Sequence, residues 1–188
     1  MEIGRRERNK QEKLARIRRA AGELFAERGH EAVTTQEIAD RADVGAGTLF
    51  RYASTKAELL LMVYNDRFRA ALAEGKRAAT GSTPRDRVLA LLAPIVRSNH
   101  EQLANGRVYQ RELMFGDATE RYRAEGLALV ADLQNAIAAA IDRPGESEER
   151  ARVVFAIFHL AVATAALDDL PVDETLDDIA AQLAVVTS

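Results

Sequence analysis

Two capping boxes fix much of what the first third of this 188-residue chain can become. Thr34 with Glu37, and Thr55 with Glu58, each place a hydroxyl and a carboxylate three residues apart, the spacing that satisfies two free N–H groups at a helix start. Two helices therefore begin near Thr35 and Lys56. Only Ala42–Ser54 lies between them once the first has run its course, room for a tight turn and a helix of about two turns at ~3.6 residues each. Asp43 suits the turn, since aspartate tolerates positive φ better than most residues.

Helical spacing extends through the whole chain. Leu14, Ile17, Ala21, Leu24 and Phe25 recur every three or four residues and predict a first helix, with Gly29 ending it. Ile38, Ala39 and Ala42 mark the second. Leu59, Leu60, Val63, Tyr64, Phe68 and Leu72 mark a long helix after the second box. Thr83-Pro84 with Asp86 reads as a cap, a first-position proline and an acidic first turn. Pro94 falls inside a helical stretch and predicts a kink. Asn105-Gly106, Gly116-Asp117 and Arg143-Pro144-Gly145 predict breaks. Two more helices, over about 148–167 and 173–186, close the chain. Strand-type alternation is nowhere sustained, so the fold class is all-α, with about nine helices.

Charge is unevenly distributed. Residues 1–19 hold eight basic and three acidic side chains, although the whole chain carries −3. A basic head on an acidic body suits either a polyanion partner or a solvated arm. The absence of cysteine removes disulfides, thiolate metal sites and a cysteine nucleophile. No apolar run looks long enough to span a membrane, and the charged start lacks a secretory signal, so a cytoplasmic location is expected.

Catalytic constellations are weak. His100-Glu101 lacks the second histidine of a zinc-binding HExxH motif, and Glu27 with His30 is a single Glu-x-x-His where a di-iron bundle needs two. No catalytic residue, metal site or cofactor is expected.

The segment "VGAGTLFRYASTK", Val44–Lys56, places two glycines at the start of a short helix. Glycine in a helix costs up to ~1 kcal/mol relative to alanine. The expense is understandable where the backbone must approach a phosphate-lined groove closely, as the third element of a helix-turn-helix does.

The stretch "TTQEIADRADVGAGTLFRYASTKAELL", Thr34–Leu61, resembles the DNA-binding signature of TetR-family transcriptional regulators. Thr35, Ile38, Ala39, Ala42, Val44, Gly47, Thr48, Leu49, Tyr52, Lys56 and Leu59 match its pattern without gaps, and the likeness covers the N-terminal third. Phe50, Ala53 and Gly45 depart from it.

The resemblance implies a helix-turn-helix domain with a basic arm over 1–55 and a ligand-binding and dimerisation domain over 56–188. It implies a homodimer on a palindromic double-stranded DNA operator, released by a small-molecule inducer. DNA contacts would come from Thr35, Gln36, Ala46, Gly47, Thr48, Phe50, Arg51, Tyr52 and Lys56. Two placements stand for Phe50, against a thymine methyl or in the small core. His100, Tyr109, Gln110, Met114, Phe115 and Phe158 are candidates to line a ligand pocket. Val154, Phe158, Ala161, Leu176, Ile179 and Leu183 are candidates for the dimer interface. The rival expectation is a helical ligand-binding or protein-interaction module whose helix-turn-helix no longer binds DNA.

Overall fold

A computed structural model describes residues 4–186; Met1–Ile3 and Thr187–Ser188, which the two expected domain ranges include, lie outside them. The described residues form nine helices and no strand: α1 Arg5–Ala32, α2 Thr35–Arg41, α3 Ala46–Leu49, α4 Lys56–Ala78, α5 Pro84–His100, α6 Leu103–Phe115, α7 Arg121–Ile141, α8 Ser147–Asp168 and α9 Val172–Val186.

The caps act as their spacing predicts, with one change of partner. Thr34 Oγ1 accepts from the Glu37 N–H while the Glu37 carboxylate accepts from the Thr34 N–H at 2.8 Å, a reciprocal box. Thr55 Oγ1 accepts from the Glu58 N–H, but the Glu58 carboxylate reaches one residue further back, to the Ser54 N–H at 2.6 Å and its hydroxyl at 3.0 Å. Thr83 caps α5, with Pro84 in its first turn.

The breaks fall only partly where expected. Gly29 leaves helical φ/ψ (77°, 159°) and so ends the first run of α1, after which a last turn resumes as far as Ala32. Asn105-Gly106 is no break but lies within α6. The chain turns instead at Glu101-Gln102, where no glycine or proline signals it. Both α7 and α8 are long and apolar enough, by composition alone, to cross a membrane, with mean hydropathies of 1.3 and 1.6. In this fold they pack on each other and on α4, α5 and α6 instead. α5 continues through Pro94 with no residue leaving helical φ/ψ.

Packing builds two cores. One gathers Ile17, Leu24, Phe25, Ile38, Leu49 and Leu59–Met62, joined by Tyr109, Leu113 and Tyr122 from α6 and α7. The other gathers Leu72, Leu91, Leu92, Val96, Leu133, Ile137, Val154, Ile179 and Leu183. α4 runs through both, with Phe68 packed against each, so this helix is the strut between the N-terminal unit and the bundle. Its first two turns belong to the N-terminal core rather than to the body beyond it.

Candidate nucleic-acid interface and the cavity behind it

The N-terminal unit packs around fully buried side chains from each of its helices, Ile17, Ile38 and Leu49. α2 ends at Arg41, Asp43 takes φ 51°, and the Val44 N–H donates to Ala39 O at 3.0 Å, which turns the chain. Gly45 is the N-cap of α3, and the Thr48 and Leu49 N–H groups both donate to its carbonyl. α3 is a single α turn rather than two. It is prolonged by a tighter turn in which the Arg51 N–H donates to Thr48 O and the Tyr52 N–H to Leu49 O. So short an element has little stability of its own. Burial of Leu49, with Ala53 covered beneath it, fixes its position. Ion pairs brace the rest: Arg16 to Asp43 at 2.9 Å and Arg28 to Glu37 at 2.8 Å.

The predicted contact residues lie along the outside of this unit. Gln36, Gly47, Phe50 and Arg51 are exposed, and Thr35, Ala46, Thr48 and Tyr52 are half-buried. Phe50 is 47% exposed, which places its ring outside the small core. Gln36 donates to Asp40 at 2.8 Å, and the Tyr52 hydroxyl donates to Lys10 O at 3.3 Å, tying the recognition segment to α1. Residues 5–13 of α1 are exposed and lie outside the core.

Gly45 sits at an N-cap, where glycine is favoured over alanine, but Gly47 has no internal explanation. Among the described residues beyond each glycine's own stretch of backbone, no atom lies within 4 Å of a Cβ built on either, and neither has a positive φ. Alanine would fit both sites without strain, so packing within the chain does not select for glycine.

Lys56, expected among the DNA contacts, is engaged within the chain. Its ammonium donates to His30 O at 2.8 Å, Val33 O at 3.0 Å and, more weakly, Glu31 O at 3.4 Å. These carbonyls belong to the last turn of α1 and its C-cap, where helical i→i−4 partners run out. The lysine thus ties the start of α4 to the end of α1.

Behind this unit, side chains from α4–α8 line an apolar cavity that opens to solvent. Of the candidates named for a ligand pocket, Tyr109, Gln110, Met114 and Phe158 line this cavity. His100 and Phe115 do not. The His100 ring bonds Val96 O, Leu170 O and the Thr175 hydroxyl, joining α5 to α9, while Phe115 is 83% exposed at the end of α6. Sequence reasoning missed the contribution of α4 and α5: Tyr64, Arg67, Phe68, Ala71, Ile95, Ser98 and Asn99. Helical spacing had marked Tyr64 and Phe68 only as core.

Burial pushes the Tyr64 phenol up to about 12 and the Tyr109 phenol higher still, and it lowers the His159 imidazole. All three are neutral at pH 7. The Arg67 guanidinium donates to Glu101 Oε2 at 2.5 Å and to Ser98 O at 3.2 Å. The cavity therefore carries little uncompensated charge and suits an apolar molecule.

Five of the six expected interface residues face inward. Val154, Ile179 and Leu183 are fully buried, and Phe158 and Ala161 nearly so, against the chain's own bundle; Leu176 is half-buried. The outer face of α8 instead presents Val153, Leu160 and Leu167, 48%, 64% and 69% exposed and seven residues apart. The periodicity of an all-apolar helix could not say which side faced inward.

A helix-turn-helix unit carried on a helical bundle defines the class of protein. The profile described as "Bacterial regulatory proteins, tetR family" matches residues 17–63. The HTH-type transcriptional repressor KstR of Mycolicibacterium smegmatis is 30% identical over 145 residues, covering 76% of this chain and 71% of that protein. The repressor of that name from Rhodococcus jostii is 30% identical over 137 residues, covering 73% of this chain. This chain spans 64% of the length of that relative and 66% of the one from Mycobacterium tuberculosis. Among solved structures, a TetR regulator from Rhodococcus sp. RHA1 superposes with a TM-score of 0.75 at 20% identity, covering 93% of this chain and 94% of that one. Thermus thermophilus FadR, solved in complex with lauroyl-CoA, gives 0.72 at 26% identity, with 92% of each chain covered. The chain belongs to the TetR family of bacterial regulatory proteins.

Proposed function

We propose that this chain is a cytoplasmic transcriptional repressor that binds a palindromic operator as a homodimer and is released by an apolar small molecule. The observation that carries the reading is Gly47, exposed in α3 with nothing in the chain to require it, beside Gly45 at the N-cap. A helix that keeps a costly interior glycine without internal cause is suited to a close external approach, and the α3 tip of a helix-turn-helix meets the major groove.

In this reading Thr35 and Gln36 meet phosphate and base edges at the start of α2. Ala46, Gly47 and Thr48 approach the groove floor, Phe50 packs on a thymine methyl, and Arg51 and Tyr52 reach a base or phosphate. The exposed basic residues Arg5, Arg6, Lys10 and Lys13 add phosphate contacts beside them. Lys56 contributes its charge from the end of α1, where it also holds the unit in register.

The Val153, Leu160 and Leu167 stripe is the face offered to a second copy, and two-fold symmetry would set paired α3 tips ~34–36 Å apart. The cavity is the inducer site. Lauroyl-CoA in Thermus thermophilus FadR makes an acyl thioester a reasonable first candidate. An occupant that moves α4 would change the spacing of the two tips, with a coupling of ~1–3 kcal/mol. A mobility shift on the DNA upstream of the gene, titrated with salt, tests the reading. Affinity should fall steeply as counterions return to the phosphates, whereas an interaction module would show little DNA affinity at any salt.

A further inference from the structure

We infer that Asn105 is a positioning residue that links the cavity to the bend in α1, and so to the helix-turn-helix unit; the inference rests on the cavity being the inducer site. Asn105 is buried, and its side-chain amide makes three hydrogen bonds. Nδ2 donates to Phe25 O at 2.8 Å and to Gln102 Oε1 at 3.0 Å, while Oδ1 accepts from the His30 N–H at 2.8 Å. The first and third of these bridge the bend that the positive φ of Gly29 makes in α1. One amide thus acts as a splint across the bend, and α2 begins only five residues after His30.

The second bond leads to the cavity. Gln102 Oε1 also accepts from the Tyr64 hydroxyl at 2.5 Å, and Tyr64 is part of the cavity wall. Gln102 lies in the two-residue corner between α5 and α6. The other corner residue, Glu101, is held by Arg67 from the same wall. An occupant that displaces Tyr64 or Arg67 therefore acts on the corner. The corner acts on Asn105, and Asn105 acts on the bend. Tyr64 and Asn105 are buried and Gln102 between them is half-buried, so leaving one of the three unpaired is costlier than moving its partner with it. That is why this line of bonds carries a displacement that loose packing would absorb. The other cavity phenol serves as a built-in comparison: the Tyr109 hydroxyl donates to Asn65, and Asn65 donates to Tyr122 O on α7, with no bond to Gln102, Asn105 or the bend in α1.

Hydrogen exchange by mass spectrometry on the full chain, followed over residues 26–34, tests the relay without needing DNA or an inducer. Tyr64→Phe keeps the ring and removes the bond, and it should speed exchange there about fivefold or more. Asn105→Ala should do the same, while Tyr109→Phe should leave the segment within about twofold of the parent. Ala71→Leu, which fills part of the cavity, should alter exchange over 26–34 in the parent and not in the Asn105→Ala background. The inference is overturned if Tyr64→Phe leaves the segment at the parent rate, or if the Ala71→Leu effect survives loss of Asn105. Should Ala71→Leu fail to fold by circular dichroism, the contrast between the two Tyr→Phe variants decides alone. Failure to bind upstream DNA would remove the operator reading and leave the exchange result standing.

Discussion

The Cα of Gly75 on α4 lies against the carbonyl oxygen of Leu91 on α5, so closely that a methyl group there would overlap the oxygen. The neighbour is backbone and cannot rotate away. Gly75→Ala should therefore force the two helices apart and cost ~1–3 kcal/mol, measured as a lower midpoint in thermal or guanidinium unfolding. An unchanged midpoint would mean that the α4–α5 contact is less close than described.

The outer stripe of α8 predicts where a dimer is broken. Leu160→Glu with Leu167→Glu should give monomers in light scattering while the unfolding midpoint stays near that of the parent, since both side chains are more than 60% exposed within one chain. Ile179→Glu should instead destabilise the fold itself, because it buries a charge in the chain's own core. Dimers that persist in the Leu160→Glu, Leu167→Glu variant would move the interface to another face.

Lys56→Met keeps the length of the side chain and removes its charge. With three carbonyls at the end of α1 and its cap losing the lysine as donor, it should lower stability by ~1–3 kcal/mol. The salt slope of DNA binding should change by less than about one unit. A full unit lost with an unchanged unfolding midpoint would put the ammonium on a phosphate instead.

Acid should loosen the start of α2. The Thr34 N–H, the Arg28 guanidinium and the Thr34 hydroxyl hold the Glu37 carboxyl down at about 2, below its ordinary 4.5. The folded state thus binds the proton less readily than the unfolded one. The stability this group contributes is complete above pH 4.5 and is lost as pH falls toward 2. Over that window the unfolding midpoint of Glu37→Gln should fall less steeply than that of the parent. Parallel curves would show that the box contributes nothing through charge.

How much of this was legible in the sequence depended on whether the signal was local. Hydroxyl–carboxylate spacing is local, and Thr34, Thr55 and Thr83 cap the helices it predicts. Positive φ at Asp43 is likewise a property of one residue in one turn. Asn105-Gly106 misled because a turn-forming pair was serving long-range contacts: Asn105 bonds to α1, and Gly106 lies against the Asn99 side chain. The cavity was half legible, because α6 and α8 supplied conspicuous aromatic and methionine side chains. The α4 and α5 walls were read as core, and only the packing separates a residue facing a void from one facing a neighbour. The inward side of α8 was hidden for a similar reason: apolar side chains all round the helix carry no direction.

The central claim is that the tip of α3 is shaped for DNA and not for its own fold. Its most direct test is fluorescence anisotropy of a labelled upstream duplex with the parent chain and with Gly47→Ala, across a salt series, alongside thermal unfolding of both. The account predicts steep salt dependence for the parent. For Gly47→Ala it predicts at least tenfold weaker binding, about 1.4 kcal/mol, with an unfolding midpoint equal to or above that of the parent. Equal affinity for the two chains, or no salt-dependent binding by the parent, would contradict it.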